Sequence, residues 1–563
     1  ERSCPCVVIS LISEQLTSSA TPRTVYKYFV YLIIISPYLE CNLYACSNCT
    51  HCRIITTQGH DLSAEQVAET NRVNPERLKA SVTGLYQIAA LPGKVSDTDA
   101  DAGIMTYMLS ADCNGPDMTS TAAGYNWYSP SSNYSDHLSS TTINAVGYNT
   151  CYNQIEAANT ILRQIDESTA TATQKHYIGN ARFCRAFDYL LLATRYQLNY
   201  QVDKTALCVP LVTEKTANVY NNKRATVEEV YNQIISDLTS AIELLQGYER
   251  PDKRYANVAV ANGLLARTYL AMGEYAKAAE YAQKAIDATD AQPASISDVS
   301  KPTFCDASKE NNWMWGILLT VDDISSQSIA PMSSQLSSFP GYGYTGAGAC
   351  YKDINVLLYN KIPSTDVRKE WWVGPSKTNS HLNGLTWEEA GVTLKGNEII
   401  TGSLESKQPF RVYTNVKFGM KGGLGSPNNN NDSPLMRVEE MYLIKAEGLA
   451  MSGNLAAGKQ VLEDFVKTYR DPSYSVTATT AAAFQNEVWF QRRVELWGEG
   501  FSMYDLLRLQ KPLVRFHAGK ETNVVTRYRF NMPANDPYYA YRFTQKERDN
   551  NKGIVDNTTG KEP

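Results

Sequence analysis

The segment from Leu264 to Ile286 constrains the fold of this chain more than any other. It consists of two runs with the spacing of α-helices, separated by Gly273 and Glu274. Glycine commonly ends a helix, because it adopts the left-handed backbone conformation without strain. Two helical runs joined by so short a connection must lie antiparallel. The segment therefore predicts a helical hairpin with its turn at Gly273-Glu274.

The hairpin has the residue pattern of a tetratricopeptide repeat. Small residues let the two helices approach closely, and larger residues fill the groove between them. The positions that fit are Leu265, Ala266, Tyr269, Gly273, Tyr275, Ala278, Tyr281 and Ala285. A single hairpin cannot bury its apolar face alone, so we expect further hairpins elsewhere in the chain. A scaffold of this kind indicates a binding function.

Composition narrows the class of protein. The chain has 563 residues, of which 43% are hydrophobic and 20% are charged, as in a soluble globular protein. A net charge of −5 argues against a nucleic-acid partner, which usually requires a basic surface. Tyrosine is unusually frequent, with 36 residues against 14 phenylalanines. Its flat apolar ring and hydroxyl suit wet binding surfaces, although many of these rings are expected simply to fill grooves between helices.

Residues 1–57 differ in character from the rest of the chain. Arg23 and Lys27 precede an apolar run, residues 28–39, that is too short to span a bilayer and is typical of an export signal. Residues 43–46 (LYAC) then resemble a lipobox, which predicts lipidation of Cys46. Because Pro37 and Glu40 interrupt this region, a poorly defined start or a translated upstream stretch is the alternative. On either interpretation, residues 1–57 lie outside a single folded domain formed by residues 58–563.

The cysteines do not predict a metal site. Six of the twelve occur in the first 52 residues, and Cys46, Cys49 and Cys52 superficially resemble an iron–sulfur run. The Cys-Pro that usually follows such a run is absent, and a motif without its structural context is weak evidence. The Asn- and Asp-rich stretch 428–432 is compatible with calcium, but we interpret it as a solvated turn. No cofactor is predicted.

Helical hairpins are predicted on both sides of an irregular insert. The first group, about 74–288, includes a helix start at Asn74-Pro75, a helix over 175–196, and a capping box at Thr226 that opens a helix to Leu245. The second group, 434–510, contains helices over 434–452, 455–469, 482–498 and 501–510. The insert, about 290–433, is rich in Gly, Ser, Asn and Pro, and the tail 520–563 is predicted to be irregular or short-stranded. The fold class is therefore mainly α, with a few short strands.

Seven ordered motifs over most of residues 74–550 resemble the SusD/RagB family of outer-membrane nutrient-binding lipoproteins. The residues that carry the resemblance are Tyr152, Ile155 and Asn159; Ala181, Arg182, Phe183, Arg185, Ala186 and Tyr189; the short strand 209–212; the helix start 224–231; Asp366, Val367, Arg368, Lys417 and Phe418; Arg437, Glu440, Tyr442, Leu443, Ala446 and Glu447; and Arg492, Arg493, Glu495, Leu496, Glu499, Gly500, Asp505, Leu506 and Arg508. Each motif alone is moderate evidence, but their common order makes the resemblance strong.

The charged residues of these motifs are expected to form scaffold ion pairs rather than a catalytic site, because buried charges must be paired. They are Arg182, Arg185, Arg437, Glu440, Glu447, Glu495, Glu499 and Asp505. The six histidines include no pair at helical i, i+4 spacing, and nucleophile-elbow, P-loop and dinucleotide motifs are absent. We therefore expect a protein that is not an enzyme. A glycan hydrolase with a helical fold remains an alternative.

The resemblance implies a surface-exposed lipoprotein of the outer membrane. Such a protein captures oligosaccharides, or peptides in some branches, and delivers them to a SusC-like TonB-dependent transporter in the outer membrane. A cytosolic tetratricopeptide adaptor that binds other proteins is a further alternative. The export-like segment and the long loops between the hairpins count against an adaptor.

The ligand site is expected in the irregular segments, because a rigid scaffold usually presents its binding residues on loops. A sugar site needs flat aromatic rings together with polar groups that bind hydroxyls. The candidates are Asp112, Asn126, Trp127, Tyr128, Tyr342 and Tyr344. Trp371 and Trp372 suit either the site or the core. Trp313 and Trp315, in a predicted strand, and Trp489 and Trp497, in predicted helices, are assigned to the core.

Overall fold

The computed structural model describes residues 75–121, 125–324, 330–346, 349–402 and 407–557, and side chains from Leu78 onward. These residues belong to one compact unit, Ser63–Pro563. The predictions for residues 1–57, including the lipobox at Cys46 and the cysteine run, lie outside the described residues. Among the described helices, none combines the length and the apolar character needed to cross a membrane.

The described chain is mostly helical, which confirms the predicted fold class. The longer helices are α1 (Pro75–Ala90), α2 (Ile104–Asn114), α3 (Thr142–Gln164), α4 (Ala172–Tyr196), α5 (Val227–Leu244), α6 (Val258–Met272), α7 (Tyr275–Asp287), α8 (Val438–Met451), α9 (Leu455–Tyr469), α10 (Ala481–Glu495) and α11 (Ser502–Arg508). Short helices cover Ser129–Ser132, Ile296–Val299, Met332–Leu336, Val356–Tyr359, Glu398–Thr401 and Gln545–Asn550. Single 3₁₀ turns cover Ser135–His137, Val219–Asn221, Val367–Trp371, Ser380–Leu382, Thr526–Tyr528 and Pro537–Tyr539.

The strands are short and pair two by two. They are β1 (Met118–Ser120), β2 (Leu207–Pro210), β3 (Arg224–Thr226), β4 (Trp313–Ile317), β5 (Lys352–Ile354), β6 (Thr386–Glu389), β7 (Val392–Lys395) and β8 (Ser433–Arg437). Within the described ranges they form four antiparallel pairs, β1–β5, β2–β3, β4–β8 and β6–β7. The helix predicted to begin at Pro434 in fact begins at Val438, because the preceding buried residues pair with β4.

The predicted hairpin is α6 and α7. Gly273 ends α6 with a φ of 76°, and the rings of Tyr269 and Tyr281 lie 5.5 Å apart between the two helices. Helix α8 packs against α7 at Gly448, where an added Cβ would lie 2.7 Å from the carbonyl oxygen of Tyr275. The hairpin therefore buries its apolar face against a neighbouring helix, as a repeat unit must.

Side-chain caps set the starts of α4 and α5. Thr171 forms a capping box with Gln174, so α4 begins at Ala172, three residues before the predicted start. The predicted box at Thr226 is present: its hydroxyl accepts the N–H of Glu229 at 3.2 Å, and the Glu229 carboxylate accepts the N–H of Thr226 at 2.7 Å. Local sequence therefore determines where these helices begin.

A group of buried ion pairs holds the second half of the chain together. Both carboxylate oxygens of Glu495 are bonded, Oε1 to Arg437 (3.0 Å) and Arg470 (2.8 Å), and Oε2 to Arg470 (2.8 Å) and Arg368 (3.2 Å). Arg437 also binds Glu499 at 2.8 Å. These guanidinium groups outweigh the effect of burial and hold the pKa of Glu495 well below its usual value. We call these five residues the Glu495 cluster.

All eight motif charges are paired, as the scaffold interpretation predicts. The pairs are Arg182–Glu167, Arg185–Asp237, Arg437–Glu495, Arg437–Glu499, Glu440–Arg267, Glu447–Arg508, Asp505–Arg492 and Asp505–Arg508. Except for the partly exposed Arg182–Glu167 pair, these charges are buried. A buried charge is tolerated only when it is paired, so these positions can hardly vary without loss of stability.

The tryptophans divide between core and surface differently from the prediction. Trp313 and Trp315 are buried in β4, as predicted, and Trp497 is buried just after α10. Trp489, which was assigned to the core, is only partly buried, and Arg493 lies over its ring. A tryptophan on an amphipathic helix is thus a core residue only when it lies on the buried face of that helix.

Candidate ligand-binding site

A two-stranded ladder brings two distant loops together. In the β1–β5 pair, Met118 lies opposite Ile354 and Ser120 lies opposite Lys352. Because the strands are antiparallel, the chain that leaves β1 and the chain that enters β5 lie at the same end of the ladder. The hydroxyl of Thr121 donates to the carbonyl of Ala349 at 2.8 Å and extends this contact. The loop after β1 is therefore held beside the loop before β5.

These loops form an exposed aromatic patch, which we define as Tyr125, Trp127, Tyr342 and Tyr344. The ring of Tyr344 lies 6.0 Å from that of Tyr125 in a stacked arrangement, and 6.2 Å from that of Trp127 in an edge-on arrangement. Tyr342 precedes Tyr344 by two residues on the same loop. Tyr125, Trp127 and Tyr342 are 64%, 38% and 46% exposed, whereas Tyr344 is 8% exposed. Two accessible rings, Tyr125 and Trp127, thus flank one largely buried ring, and Tyr342 adds an exposed ring on the same loop as Tyr344.

Specific contacts hold both loops in place. The side-chain amide of Asn126 donates to the hydroxyl of Ser120 at 2.7 Å and to the carbonyl of Thr121 at 3.1 Å. In the other loop, the N–H of Gly341 donates to the carbonyl of Ser426 at 2.8 Å. A Cβ at Gly341 would lie 2.1 Å from the carbonyl oxygen of Gly425, so only glycine fits there. Hydrogen bonds and close packing therefore fix the backbone that carries these rings.

Asp99 supplies a charged group next to the patch. The Tyr344 hydroxyl donates to Asp99 Oδ2, and burial together with this carboxylate raises the pKa of Tyr344 to about 12. Asp99 lies on the connection between α1 and α2. The carboxylate of Asp101 stabilises this connection by accepting the N–H groups of Val95 and Ser96 at 2.8 Å each. The patch therefore combines flat rings with a carboxylate that can accept hydrogen bonds.

Only part of the predicted site is brought together. Trp127 meets Tyr344 of a separate loop in the patch, and Tyr342 lies on the same loop as Tyr344; the role of these residues in binding remains a prediction. The sequence interpretation missed Tyr125 and Asp99. Tyr125 could have been found from its place in the same irregular loop as Trp127. Asp99 carries no comparable signal, because its relation to Tyr344 depends on a long-range contact.

Three predicted candidates in the same part of the chain serve the scaffold instead. Tyr128 is completely buried, and its hydroxyl faces the carbonyl of Ala100 at 3.3 Å. Asn126 is buried and uses its amide to fix the loop. Asp112 is also buried, and its carboxylate accepts the N–H groups of Gly500 at 2.8 Å and Ser502 at 3.1 Å. These side chains are not accessible to a ligand, so they are removed from the candidate set.

Trp371 and Trp372 are removed for the same reason. Both side chains are completely buried. The indole N–H of Trp371 donates to the carbonyl of Val299 at 2.9 Å, and the ring of Trp372 lies 5.5 Å from that of Trp497. An irregular segment that contains two adjacent tryptophans can be core, because loops of a large domain also cover its interior.

The Asn- and Asp-rich stretch 428–432 is not the solvated turn that was predicted. Asn429, Asn431 and Asp432 are buried, and the Asn429 amide donates to the carbonyl of Tyr342 at 2.9 Å. Asp432 binds Lys421 at 2.6 Å and accepts the N–H of Leu319 at 3.0 Å. In the described part of the chain, no group of three His, Cys, Asp or Glu side chains is arranged to hold a metal ion. The stretch thus supports the loop of Tyr342.

A polar cleft of about 380 Å³ is lined by residues 292–295, 301–306 and 309–312 together with Asp298, Met420 and Lys421. Several of its charges already have partners, including Lys309 with Asp306 at 3.0 Å. Burial raises the pKa of Glu310 to about 6, although its carboxylate accepts the N–H of Cys305 at 2.8 Å and the indole N–H of Trp313 at 2.9 Å. The lining contains no exposed ring, so the aromatic patch is the better candidate for a sugar site.

The fold and the patch define a helical-repeat protein that presents an exposed aromatic surface on loops. Two family models match the chain: one described as "starch-binding associating with outer membrane" over residues 95–270, and the SusD family over residues 320–560. The chain belongs to the SusD/RagB family, as its motifs predicted. No curated protein matches the chain.

Solved structures share the fold. A SusD-like carbohydrate-binding protein from Bacteroides vulgatus is 23% identical with a TM-score of 0.67, and the match covers 85% of this chain and 97% of that one. A SusD superfamily protein from Bacteroides thetaiotaomicron is 23% identical with a TM-score of 0.66, covering 86% and 99%. Surface glycan-binding protein A from Bacteroides thetaiotaomicron, solved with laminarihexaose, is 17% identical with a TM-score of 0.60, covering 86% and 99%.

Proposed function

We propose that this protein is a glycan-binding protein and that the aromatic patch is its binding surface. The observation that carries the proposal is the meeting of two exposed rings, Tyr125 and Trp127, with Tyr344 of a distant loop, beside a hydrogen-bond acceptor. Exposed aromatic clusters mark interaction sites, whereas single exposed rings do not. Flat rings with a few polar groups provide what a sugar chain needs for binding. The structural relative solved with laminarihexaose supports this ligand class.

The proposal also specifies a cellular location and a protein partner. The protein acts at the outer membrane, held there by a lipid anchor, and passes its ligand to a SusC-like TonB-dependent transporter. The family model described as associating with the outer membrane supports this location. The protein binds glycans without cleaving them, a role supported by the carboxylates of the family motifs, which are bound to arginines or lysines in the scaffold.

Calorimetry with a panel of neutral hexasaccharides, including laminarihexaose, tests the binding site. Trp127→Ala and Tyr125→Ala should each weaken binding about tenfold or more, because truncation of an anchoring ring costs about 1.4 kcal/mol or more. Tyr220→Ala is the matched control, since Tyr220 is an exposed ring that is not part of the patch. The proposal fails if no glycan binds, or if the patch variants bind as tightly as the parent protein.

Three further measurements separate this function from its alternatives. Binding of peptides instead of glycans would assign the protein to peptide capture. Release of reducing ends from the same oligosaccharides would identify a hydrolase. Protection from trypsin on intact cells, together with the absence of a co-purifying transporter, would favour an intracellular adaptor over a surface lipoprotein.

A further inference from the structure

We propose that Asp99 makes the aromatic patch selective for neutral, hydroxyl-rich glycans and against glycans that carry carboxylate or sulfate groups. This inference rests on the proposed function and names the ligand class of the same site. It depends on three features of the patch: the fixed position of Asp99, the hydrogen-bonding direction of Tyr344, and the charge balance of the neighbouring elements that the structure describes.

The backbone around Asp99 is held from both sides. The Asp101 carboxylate accepts the N–H groups of Val95, Ser96 and Gly103 at 2.8, 2.8 and 3.0 Å. The side-chain amide of Gln335 donates to the carbonyl of Asp99 at 3.3 Å. Asp99 is therefore a fixed part of the site rather than a charge on a free loop, and the residue is only partly buried.

The Tyr344–Asp99 pair offers acceptors to a ligand. The Tyr344 hydroxyl uses its one proton to donate to Asp99 Oδ2, so its oxygen can only accept a hydrogen bond from a ligand. An ionised carboxylate is likewise an acceptor only. Tyr344 is also in ring contact with Tyr125 and Trp127, so these acceptors lie beside the exposed rings. A sugar hydroxyl can donate to them, whereas a carboxylate or sulfate group cannot.

The lysines packed behind the patch cannot reach a ligand. Lys407 contacts Gly346 of the patch loop, but its ammonium group is completely buried and bonded to Glu389 at 3.2 Å. Lys352 in β5 is also completely buried and donates to the carbonyl of Cys350 at 3.0 Å. Neither charge is therefore available to compensate an anionic sugar.

The loop that carries Asp99 has an excess of negative charge. Over residues 94–101 it contains one cation, Lys94, against the carboxylates of Asp97, Asp99 and Asp101. Lys94 and Asp97 are both exposed, so solvent and salt screen their charges more than that of the partly buried Asp99. Arg527, an exposed cation, donates to the hydroxyl of Ser129, two residues after Trp127, at 2.6 Å. An anionic sugar that reaches Tyr344 would meet the charge of Asp99, and repulsion would weaken its binding there.

The test compares one neutral hexaglucoside with the same chain oxidised at C6 to carboxylates, by calorimetry at low and high salt. We expect the parent protein to prefer the neutral chain about tenfold at low salt and less at high salt, because salt screens exposed charges. Asp99→Asn should reduce this preference to about twofold. Asp97→Asn is the matched control, because it removes the same charge from the same loop and should leave the preference unchanged.

Tyr344→Phe separates charge from positioning. It removes the hydroxyl but keeps the ring and the Asp99 carboxylate, so the preference for the neutral chain should persist while affinity for that chain falls severalfold. Equal binding of both chains by the parent protein, or an unchanged preference in Asp99→Asn with native-like circular dichroism, would overturn the inference and leave the proposed function intact. If neither chain binds and no glycan of the panel binds, the proposed function itself fails.

Discussion

The Glu495 cluster and the aromatic patch use opposite chemistry in the same domain. In the cluster, charged side chains are almost completely excluded from solvent, and each carboxylate oxygen of Glu495 accepts bonds from two arginines. In the patch, large apolar rings remain exposed and touch through Tyr344. Both arrangements differ from the usual distribution of residues, in which charges lie outside and aromatic rings lie inside.

The difference lies in what each region requires of its residues. Removal of one partner from a buried ion pair leaves an uncompensated charge, so the identity of every member depends on the others. An exposed ring depends on few neighbours, and its residue type can change at little cost to the fold. Sequence motifs therefore mark the scaffold, whereas the ligand surface depends on loop placement.

Glu495→Gln should reduce the free energy of unfolding by about 3–5 kcal/mol, measured by urea denaturation. The neutral amide leaves Arg368, Arg437 and Arg470 without their common carboxylate. Glu280→Gln is the control, because Glu280 forms an exposed i, i+4 pair with Lys284 and should contribute less than about 0.5 kcal/mol. Similar losses in the two variants would show that burial does not distinguish these pairs.

Gly448→Ala should destabilise the protein by about 2–3 kcal/mol, because the added methyl group would overlap the backbone of α7. The new Cβ would lie 2.7 Å from the Tyr275 carbonyl oxygen and 2.8 Å from the Ala279 nitrogen. Gly84→Ala in α1 is a matched control, since nothing lies within 4 Å of its added Cβ. That variant should gain about 0.5–1 kcal/mol from helix propensity. If Gly448→Ala leaves the free energy of unfolding unchanged, α7 and α8 are not closely packed at this position.

Local features of the fold were predictable from the sequence. The turn at Gly273 and the capping box at Thr226 depend on residues a few positions apart, so their chemistry is visible in a short segment. The ion-pair role of the motif charges was also predictable in kind, because buried charges need partners. The partner of each charge was not predictable, because Glu495 meets Arg368 and Arg437 only after the chain has folded.

The candidate site was predictable only in part. Trp127 and Tyr344 were identified from aromatic residues in irregular loops, but the same reasoning selected Tyr128 and Trp372, which are buried. Residue type and loop context do not reveal which way a side chain faces. The association of the two loops depends on β1 and β5, strands of three residues each. Strands so short carry no periodic signal, and their pairing is non-local.

The insert contains a buried titratable group of its own, His381. Burial lowers its pKa to about 4, and its Nδ1 has no hydrogen-bond partner among the described residues. As the pH falls below about 6.5, the unfolded chain binds a proton that the native state does not, so stability is lost between about pH 6.5 and 4. We expect a loss of about 1–2 kcal/mol between about pH 7 and pH 5.

His381→Leu should remove this part of the pH dependence, which urea denaturation at the two pH values would measure. His176→Leu changes a partly exposed histidine to the same residue and should leave the pH dependence close to that of the parent protein. If the His381 and His176 variants lose stability equally on acidification, the buried histidine is not the source. In that case the insert, like the aromatic patch and unlike the Glu495 cluster, would tolerate substitution of this residue.

The smallest effect on stability is expected at the patch itself. Tyr125→Ala should change the free energy of unfolding by less than about 0.5 kcal/mol, because this ring is 64% exposed and buries little apolar surface. The same variant is expected to lose glycan affinity, so binding and stability should separate at this position. A loss of more than about 1 kcal/mol would mean that the rings brace the two loops against each other. The aromatic patch would then be part of the scaffold, and its exposure would no longer argue for a ligand.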